Sequence, residues 1–332
     1  MTNPHRLFGS EMSPYSVKVR SYFRYKQIPH RWILRNAHSQ DEFQKYARLP
    51  LIPLVVTPEG EGIQDSTPIL ERFEVEVPEP AIQPGESVAA FLSELLEEFG
   101  DEWGNKWMFH YRWSRELDRA SAAGRIARQM VPEADDAQFE TIAAQIRERL
   151  VDRVGFVGSS QGTGPIIEAS FLDTIELLEV HLRDRRYLMG ERPAFADFGL
   201  WPQLYTAWTD PTPGAFIEGR APSLLAWIHR MLWPRAEGDF ESWESLAPTL
   251  GPLFERQVGR LFVPWTLANA RAIAAGSEEM VAEVDGHEWR QRPQKYHAKS
   301  LAVLREKYAA VSDRARLDAV LGDLGCLDLF GE

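Results

Sequence analysis

The sequence predicts an α/β N-terminal domain, then an all-α domain, then an α-rich C-terminal extension. Three observations carry this. Short β-branched and apolar runs bounded by turn residues, with helical patterns between them, are concentrated before Asp65. Pro78, Pro80 and Pro84 then break the pattern and read as an interdomain linker. From Ser87 onward strand signals almost vanish and apolar residues recur at helical spacing. The expected divisions are 1–78, 87–234 and 235–332.

Arg6 to Gln27 reads as a short strand, a tight loop and an amphipathic helix. Ser13-Pro14 is a strong helix start, because a serine hydroxyl satisfies an orphan backbone N–H and proline fits the first helical position. Tyr15, Val19, Tyr22 and Phe23 follow helical spacing on one face and are expected to pack; Lys18, Arg20, Arg24 and Lys26 lie elsewhere on the wheel and are expected to be solvated. A loop between a strand's carboxyl end and a helix amino terminus suits an anion, since free N–H groups and the helix dipole both favour negative charge. A thiolate qualifies. His30–Leu34 is a strand, and Asp41–Tyr46 a short helix or turn. Pro50 and Pro53 bracket the approach to Leu54–Thr57, which pairs through Pro58-Glu59-Gly60 with Gly62–Gln64 as a hairpin. Asp65-Ser66 opens a helix with Ile69, Leu70 and Phe73 on its inner face.

In the second division, Val88, Leu92, Leu95, Phe99 and Trp103 form one stripe and Phe139, Ile142, Ile146 and Leu150 another. Gly155 to Gly164 is glycine-rich without a Gly-Lys-Ser/Thr ending, so it reads as a loop rather than a phosphate cradle. Ile167, Phe171, Ile175, Leu178 and Leu182 mark the clearest amphipathic helix, expected in the middle of the bundle. Further helices start near Phe195 and include Leu224 to Leu232. In the extension, helical runs are expected to be interrupted by Pro252 and Pro264. Asp285-Gly286 between Met280–Val284 and His287–Gln291 has the composition of a two-residue hairpin turn, and two helices follow.

At 332 residues, with 44% hydrophobic and 26% charged residues, the chain can bury a substantial core and is expected to be soluble, with no apolar run long enough to cross a bilayer. No basic-then-apolar leader precedes the first strand, so a cytoplasmic location is expected. Cys326, the single cysteine, cannot form an internal disulfide, which suits a reducing compartment. A net charge of −12 opposes nonspecific nucleic-acid binding. The eight histidines show no ligand spacing, so no metal is expected.

The β-α-β, β-β-α order, a proline before the third strand and the following helical domain resemble the cytosolic glutathione transferase superfamily over Arg6 to Pro234. The specific points are SPYSVKVR at the first helix, Ile52-Pro53, Gln64-Asp65-Ser66 and Ala196-Asp197. The resemblance implies a thioredoxin-like, glutathione-binding first domain, glutathione as co-substrate, a homodimer, and a serine-type site in which Ser13 donates to the glutathione sulfur. Read alone, Ser13 is an N-cap, and Ser10 and Ser16 are neighbouring candidates. The resemblance also gives Pro53 as a cis-proline, Ile52 as the backbone pairing with the cysteinyl part, Ser66 as donor to the γ-glutamyl carboxylate and Asp65 as partner of its amine. Leu51 stands where the family often has a basic or amide side chain for the glycyl carboxylate; Lys45 or Arg48 is the substitute. Ala194 stands at the cap of the Asp197 helix, which leaves Asp197 without its reciprocal capping partner.

Trp103, Trp107, His110, Tyr111 and Trp113 are concentrated on the first long helix of the second domain, where the resemblance places an apolar co-substrate. The same spacing also fits bundle core. The last hundred or so residues exceed the ordinary family length and resemble long bacterial members; they are expected to dock on the helical domain, capping the pocket or building an interface. The implied function is conjugation or thiol attack by glutathione on an apolar electrophile, and the alternative is a noncatalytic binding or scaffold protein with the same fold.

Overall fold

A computed structural model describes residues 3–331, so residues 1, 2 and 332 of the expected divisions lie outside the described residues. The first unit contains β1 (His5–Gly9), α1 (Pro14–Tyr25), β2 (His30–Leu34), α2 (Gln40–Tyr46), β3 (Leu54–Val56), β4 (Gly62–Gln64) and α3 (Ser66–Glu76). Its sheet has the order β2-β1-β3-β4; β1 and β2 are parallel and the other pairs antiparallel. Side-chain alternation along the strands divides the core. Leu7 and Val55 face the main core with Val17, Phe23 and Phe73, whereas Phe8, Leu54 and Val56 pack on Phe43 of α2 in a smaller cluster.

The stretch from Pro78 to Pro84 is held against α1: Lys26 Nζ donates to the carbonyls of Pro78 (3.1 Å) and Pro80 (2.9 Å) and pairs with Glu74 at 2.5 Å. The helical unit follows as α4 (Ser87–Phe99), a π-helical turn (Gly100–Gly104), α5 (Asn105–Ser114), α6 (Glu116–Met130), α7 (Asp136–Val151), α8 (Gly164–His181), α9 (Phe195–Trp208), α10 (Pro211–Arg220) and α11 (Pro222–Arg230). α4 and α9 cross at bare glycines: a Cβ on Gly199 would sit 2.4 Å from the Glu97 Cα, and one on Gly100 would sit 2.6 Å from the Gly199 carbonyl carbon. α6 and α10 have no clear sequence signal. The buried side of α6 includes Ala122, Ala123 and Ala127, too small to mark a stripe, and α10 is rich in proline and glycine. Asp197 finds three partners despite the alanine cap: its carboxylate accepts from the N–H groups of Ala194 (2.8 Å) and Leu188 (3.0 Å) and from the Trp227 indole (2.8 Å).

The extension contains α12 (Trp243–Leu253), a π-helical segment (Phe254–Phe262), α13 (Val263–Ala274), β5 (Met280–Val284), β6 (His287–Gln291), α14 (Lys295–Ala309) and α15 (Arg314–Asp323). The expected interruption at Pro252 does not occur. Pro252 lies inside α12, and the chain then widens to the looser π register, ending where Pro264 can occupy the first turn of α13 without needing an N–H partner. The hairpin turn has both central residues left-handed, with φ of 54° at Asp285 and 74° at Gly286. The extension packs on the bundle. Trp103 lies 5.9 Å from Trp265 and 5.4 Å from Trp289 between ring centroids, and Phe91 meets Tyr308 (5.7 Å) and Phe330 (5.3 Å).

Candidate functional site

A cleft of about 690 Å³ lies between the first unit, the π turn after α4, and the start of α14. Its first wall is the approach to β3, with a cis bond between Ile52 and Pro53. The β3–β4 register begins with Leu54 opposite Gln64, so the sheet leaves the Ile52 backbone unpaired. Gln64 fastens the loop before it: its Oε1 accepts from the N–H groups of Arg48 (2.8 Å) and Leu49 (3.0 Å), and its Nε2 donates to the carbonyls of Leu49 (2.9 Å) and Leu51 (2.7 Å).

Asp65 and Ser66 form the second wall. Asp65 precedes α3 with φ of 83° and makes no capping bond, so the first-turn N–H groups of α3 face the cleft without that partner. Ser66 is 3% exposed. Burial raises the Asp65 carboxyl above the ordinary range. From the extension, the Tyr296 hydroxyl donates to Asp65 Oδ2 at 2.6 Å, and Gln294 and Lys295 line the same cleft.

Beneath Asp65 lies a buried ionic centre. The basic face of α1, expected to be solvated, is instead largely buried, Lys18, Arg20 and Lys26 each finding a carboxylate partner: Lys18 Nζ, fully enclosed, contacts Glu97, Asp101 Oδ2 (2.7 Å) and Thr67 Oγ1 (3.0 Å). Burial pushes the Asp101 carboxyl up to about 7 against the opposing pull of Lys18, so this carboxyl holds a proton more readily than an exposed one. Lys18 itself is held above the ordinary lysine range, the two carboxylates outweighing its burial.

Ser13 lies on a neighbouring apolar cavity of about 360 Å³, which it lines with Met12, Met108, Phe109, Trp113 and Ile126. Tyr15 and Asn105 line both cavities and so mark where they meet. The Tyr15 hydroxyl donates to the Asp101 carbonyl at 3.0 Å and accepts from Asn105 Nδ2 at 3.2 Å. Tyr15 is thus at the junction rather than in the core, where its position on the apolar stripe of α1 had placed it. Ser13 Oγ accepts from the Ser16 N–H at 3.3 Å, which uses a lone pair and leaves the hydroxyl hydrogen free. Of its rivals, Ser10 already donates to Gln129 at 2.9 Å, and Ser16 is buried with its Oγ unpartnered.

The expected aromatic pocket is corrected. Trp103, Trp107 and Tyr111 are fully buried, His110 is nearly so, and none lines either cavity. The indoles of Trp103 and Trp107 donate to Ser170 Oγ at 3.0 and 2.9 Å, which in turn donates to Gln257 of the extension at 2.7 Å. His110 is held by Ser159 (2.7 Å) and Glu168 (3.0 Å), and Tyr111 packs on Phe171 at 5.0 Å. Trp113, the fifth residue of the expected group, does line the apolar cavity, beside Met108 and Phe109. Asp101, Glu102 and Asn105 at the π turn, and Lys295 and Tyr296 from the extension, were not anticipated; the acidic start of DEWGN was the available signal. Of the two substitutes for the side chain absent at Leu51, Arg48 lines the cleft and Lys45 does not.

Residues 7–81 match the family described as glutathione S-transferase, N-terminal domain, and residues 133–230 the one described as glutathione S-transferase, C-terminal domain. Among solved structures, the chain is similar to a glutathione S-transferase of Methylobacterium radiotolerans in complex with glutathione sulfonate, at 18% identity over 72% of this chain and 99% of that one, with a TM-score of 0.41. It is similar to the Tau class glutathione S-transferase of mango at 17% identity over 76% and 100%, with a TM-score of 0.42. It is also similar to a beta-etherase of a Sphingobium strain at 18% identity over 70% and 95%, with a TM-score of 0.45. No curated protein matches the chain significantly. The two domain families are matched in order, on a small mixed sheet followed by a helical bundle, and the chain belongs to the glutathione S-transferase superfamily.

Proposed function

We propose that the protein is a serine-type glutathione transferase, binding glutathione in the larger cleft and bringing its sulfur to an apolar electrophile in the adjoining cavity. The observation that carries this reading is the junction of the two cavities, a polar one ending at the α3 amino terminus and an apolar one carrying Ser13. In this reading the unpaired Ile52 backbone binds the cysteinyl part like an added strand. Ser66 and the first-turn N–H groups of α3 hold the γ-glutamyl carboxylate, and Asp65 holds the amine. Arg48 supplies the cation missing at Leu51. The glutathione thiol supplies the nucleophile, and the free Ser13 hydroxyl hydrogen donates to it, lowering its pKa from the ordinary value near 8.5. Calorimetry of the full chain with glutathione tests binding: saturable uptake is expected, and a folded protein with none at millimolar concentration removes the reading.

One observation favours a second reading, a noncatalytic glutathione-binding protein: Tyr296 sits on Asp65. Glutathione binding without turnover across a broad panel of electrophiles selects it. A homodimer in the cytoplasm is the assembly and location that accompany the first reading, and sedimentation velocity checks the assembly. No helix among the described residues is long and apolar enough to cross a membrane.

A further inference from the structure

Behind the cleft, two side chains four residues apart meet a third from far along the chain. Glu98 lies near the end of α4, Glu102 in the π turn, and His297 in the first turn of α14. One donor atom from each lies within 4.8 Å of the others. His297 Nδ1 is 3.2 Å from a Glu98 oxygen and 3.6 Å from a Glu102 oxygen, yet it makes no hydrogen bond. The imidazole is fully buried and fixed from its other side: Nε2 meets Thr266 Oγ1 at 3.0 Å, and the ring stacks on Trp265 with centroids 4.6 Å apart.

Two carboxyl groups converge here on one imidazole. Among the described residues, no lysine or arginine forms an ion pair with Glu98 or Glu102. Lys18 is engaged by Glu97 and Asp101; Lys106 directs its Nζ to the Glu102 carbonyl at 3.1 Å and over the Trp265 ring at 3.8 Å, and forms no close ion pair with the Glu102 carboxylate. Among the described residues, the side-chain hydroxyl that reaches the two carboxyl groups is that of Ser300, donating to Glu98 at 2.6 Å. If Nε2–H donates to Thr266, the Nδ1 lone pair faces two buried carboxyl groups, an arrangement that a proton or a cation between them would satisfy.

We propose that Glu98, Glu102 and His297 bind a divalent first-row transition-metal ion, with Zn²⁺ as the representative. Ligands at about 2.0–2.2 Å from such an ion lie roughly 3.0–3.6 Å apart along the edges of its coordination polyhedron, which the two histidine–carboxylate distances of 3.2 and 3.6 Å match. One imidazole with two carboxylates suits Zn²⁺ or Mn²⁺ and is a poor set for Mg²⁺ or Ca²⁺, which take oxygen ligands. Thr266 fixes the tautomer from outside, as the partners of metal-bound histidines commonly do. Glu102 lines the large cleft, and both glutamates line an adjoining cavity of about 400 Å³, which gives the ion an entry path and its remaining positions water. The ion would tie α14 to the end of α4.

The test uses the full chain, free of any affinity tag and stripped with a chelator, in the absence of glutathione, so it is independent of the transferase reading. Calorimetry with Zn²⁺ should show one tight equivalent and a raised melting temperature, Mg²⁺ neither, and Co²⁺ should give a visible d–d spectrum. His297→Asn and Glu102→Gln, each verified as folded by circular dichroism, should weaken Zn²⁺ binding by about 100-fold or more, beyond the 10–100-fold that loss of an outer partner costs. Should His297→Asn not fold, Glu102→Gln and Glu98→Gln, which keep side-chain volume, carry the measurement. Absence of saturable Zn²⁺ and Co²⁺ uptake by the folded wild-type chain overturns the proposal and leaves a proton as the neutralising cation. Equal affinity in the folded variants overturns it too, by moving binding to the surface.

Discussion

Ser13 is asked to do two things with one oxygen, and a pair of substitutions separates them. Its lone pair caps α1 through the Ser16 N–H at 3.3 Å, and its hydrogen is the proposed donor to the glutathione sulfur. Alanine removes both. Glycine removes the donor but preserves most of the capping stability, because glycine at an N-cap costs only a few tenths of a kcal/mol against about 0.5–2 kcal/mol for alanine. The length of the capping bond places the alanine cost at the low end. A hydrogen bond to a charged acceptor contributes roughly 1.5–3 kcal/mol, and a pKa unit corresponds to about 1.4 kcal/mol, so either variant should raise the bound thiol's pKa by about 1–2 units. Turnover near neutral pH should fall roughly 10–100-fold in both, and the deficit should shrink as pH rises through the mutant thiol pKa. Ultraviolet absorbance of the bound thiolate against pH, with turnover and melting temperature on the same samples, reads all three quantities. If Ser13→Gly keeps wild-type turnover while Ser13→Ala loses it, Ser13 is a cap and nothing more.

Ser66→Ala should weaken glutathione binding by about 10–100-fold while changing saturated turnover less; an unchanged dissociation constant in calorimetry refutes the assignment. Lys18→Met leaves Glu97 and Asp101 buried without their cation, a loss of about 3–5 kcal/mol; at about 2.1 cal/mol/K per residue this lowers the melting temperature by roughly 4–7 °C for a chain of 332 residues. The pH dependence has a definite sign. A carboxyl whose folded pKa exceeds its unfolded value, as Asp101 at about 7 does, contributes stability that is present below the unfolded value and lost as pH rises through the folded one. The variant's deficit should therefore shrink as pH falls below about 7, and a deficit that grows on acidification would contradict the arrangement. Truncation after Pro234 should strip cover from Trp103 and Phe91 and leave an insoluble or strongly destabilised remainder; a soluble fragment with an unshifted melting temperature would refute the docking role of the extension.

Local backbone chemistry was legible. Ser13-Pro14, Asp285-Gly286 and the strand pattern around Leu54 each specify their geometry within a few residues, and the helix amino terminus at Ser66 followed from the same kind of signal. Of the five aromatic and histidine residues expected around the apolar cavity, only Trp113 lines it. The buried stripe of Val88, Leu92, Leu95, Phe99 and Trp103 continues into Trp107 and Tyr111, so these aromatics fill the core, while Met108, Phe109 and Trp113 face the cavity. The cluster of Glu98, Glu102 and His297 has no sequence signature at all, since its histidine and its carboxylates meet only after the extension has docked.

The bond between Tyr296 and Asp65 joins positions 231 apart in the chain. A ribosome adding about 5–20 residues per second needs roughly 10–50 s to travel between them. For that interval the residues of the first sheet and the amino terminus of α3 have been synthesised, while the wall supplied by Gln294, Lys295 and Tyr296 does not yet exist. A nascent chain therefore carries an open, unfinished trough on its first domain, and the cleft reaches its final shape only when nearly the whole polypeptide has been synthesised. A chain stopped before Gln294 lacks that wall, so completion of the cleft waits on the last part of translation.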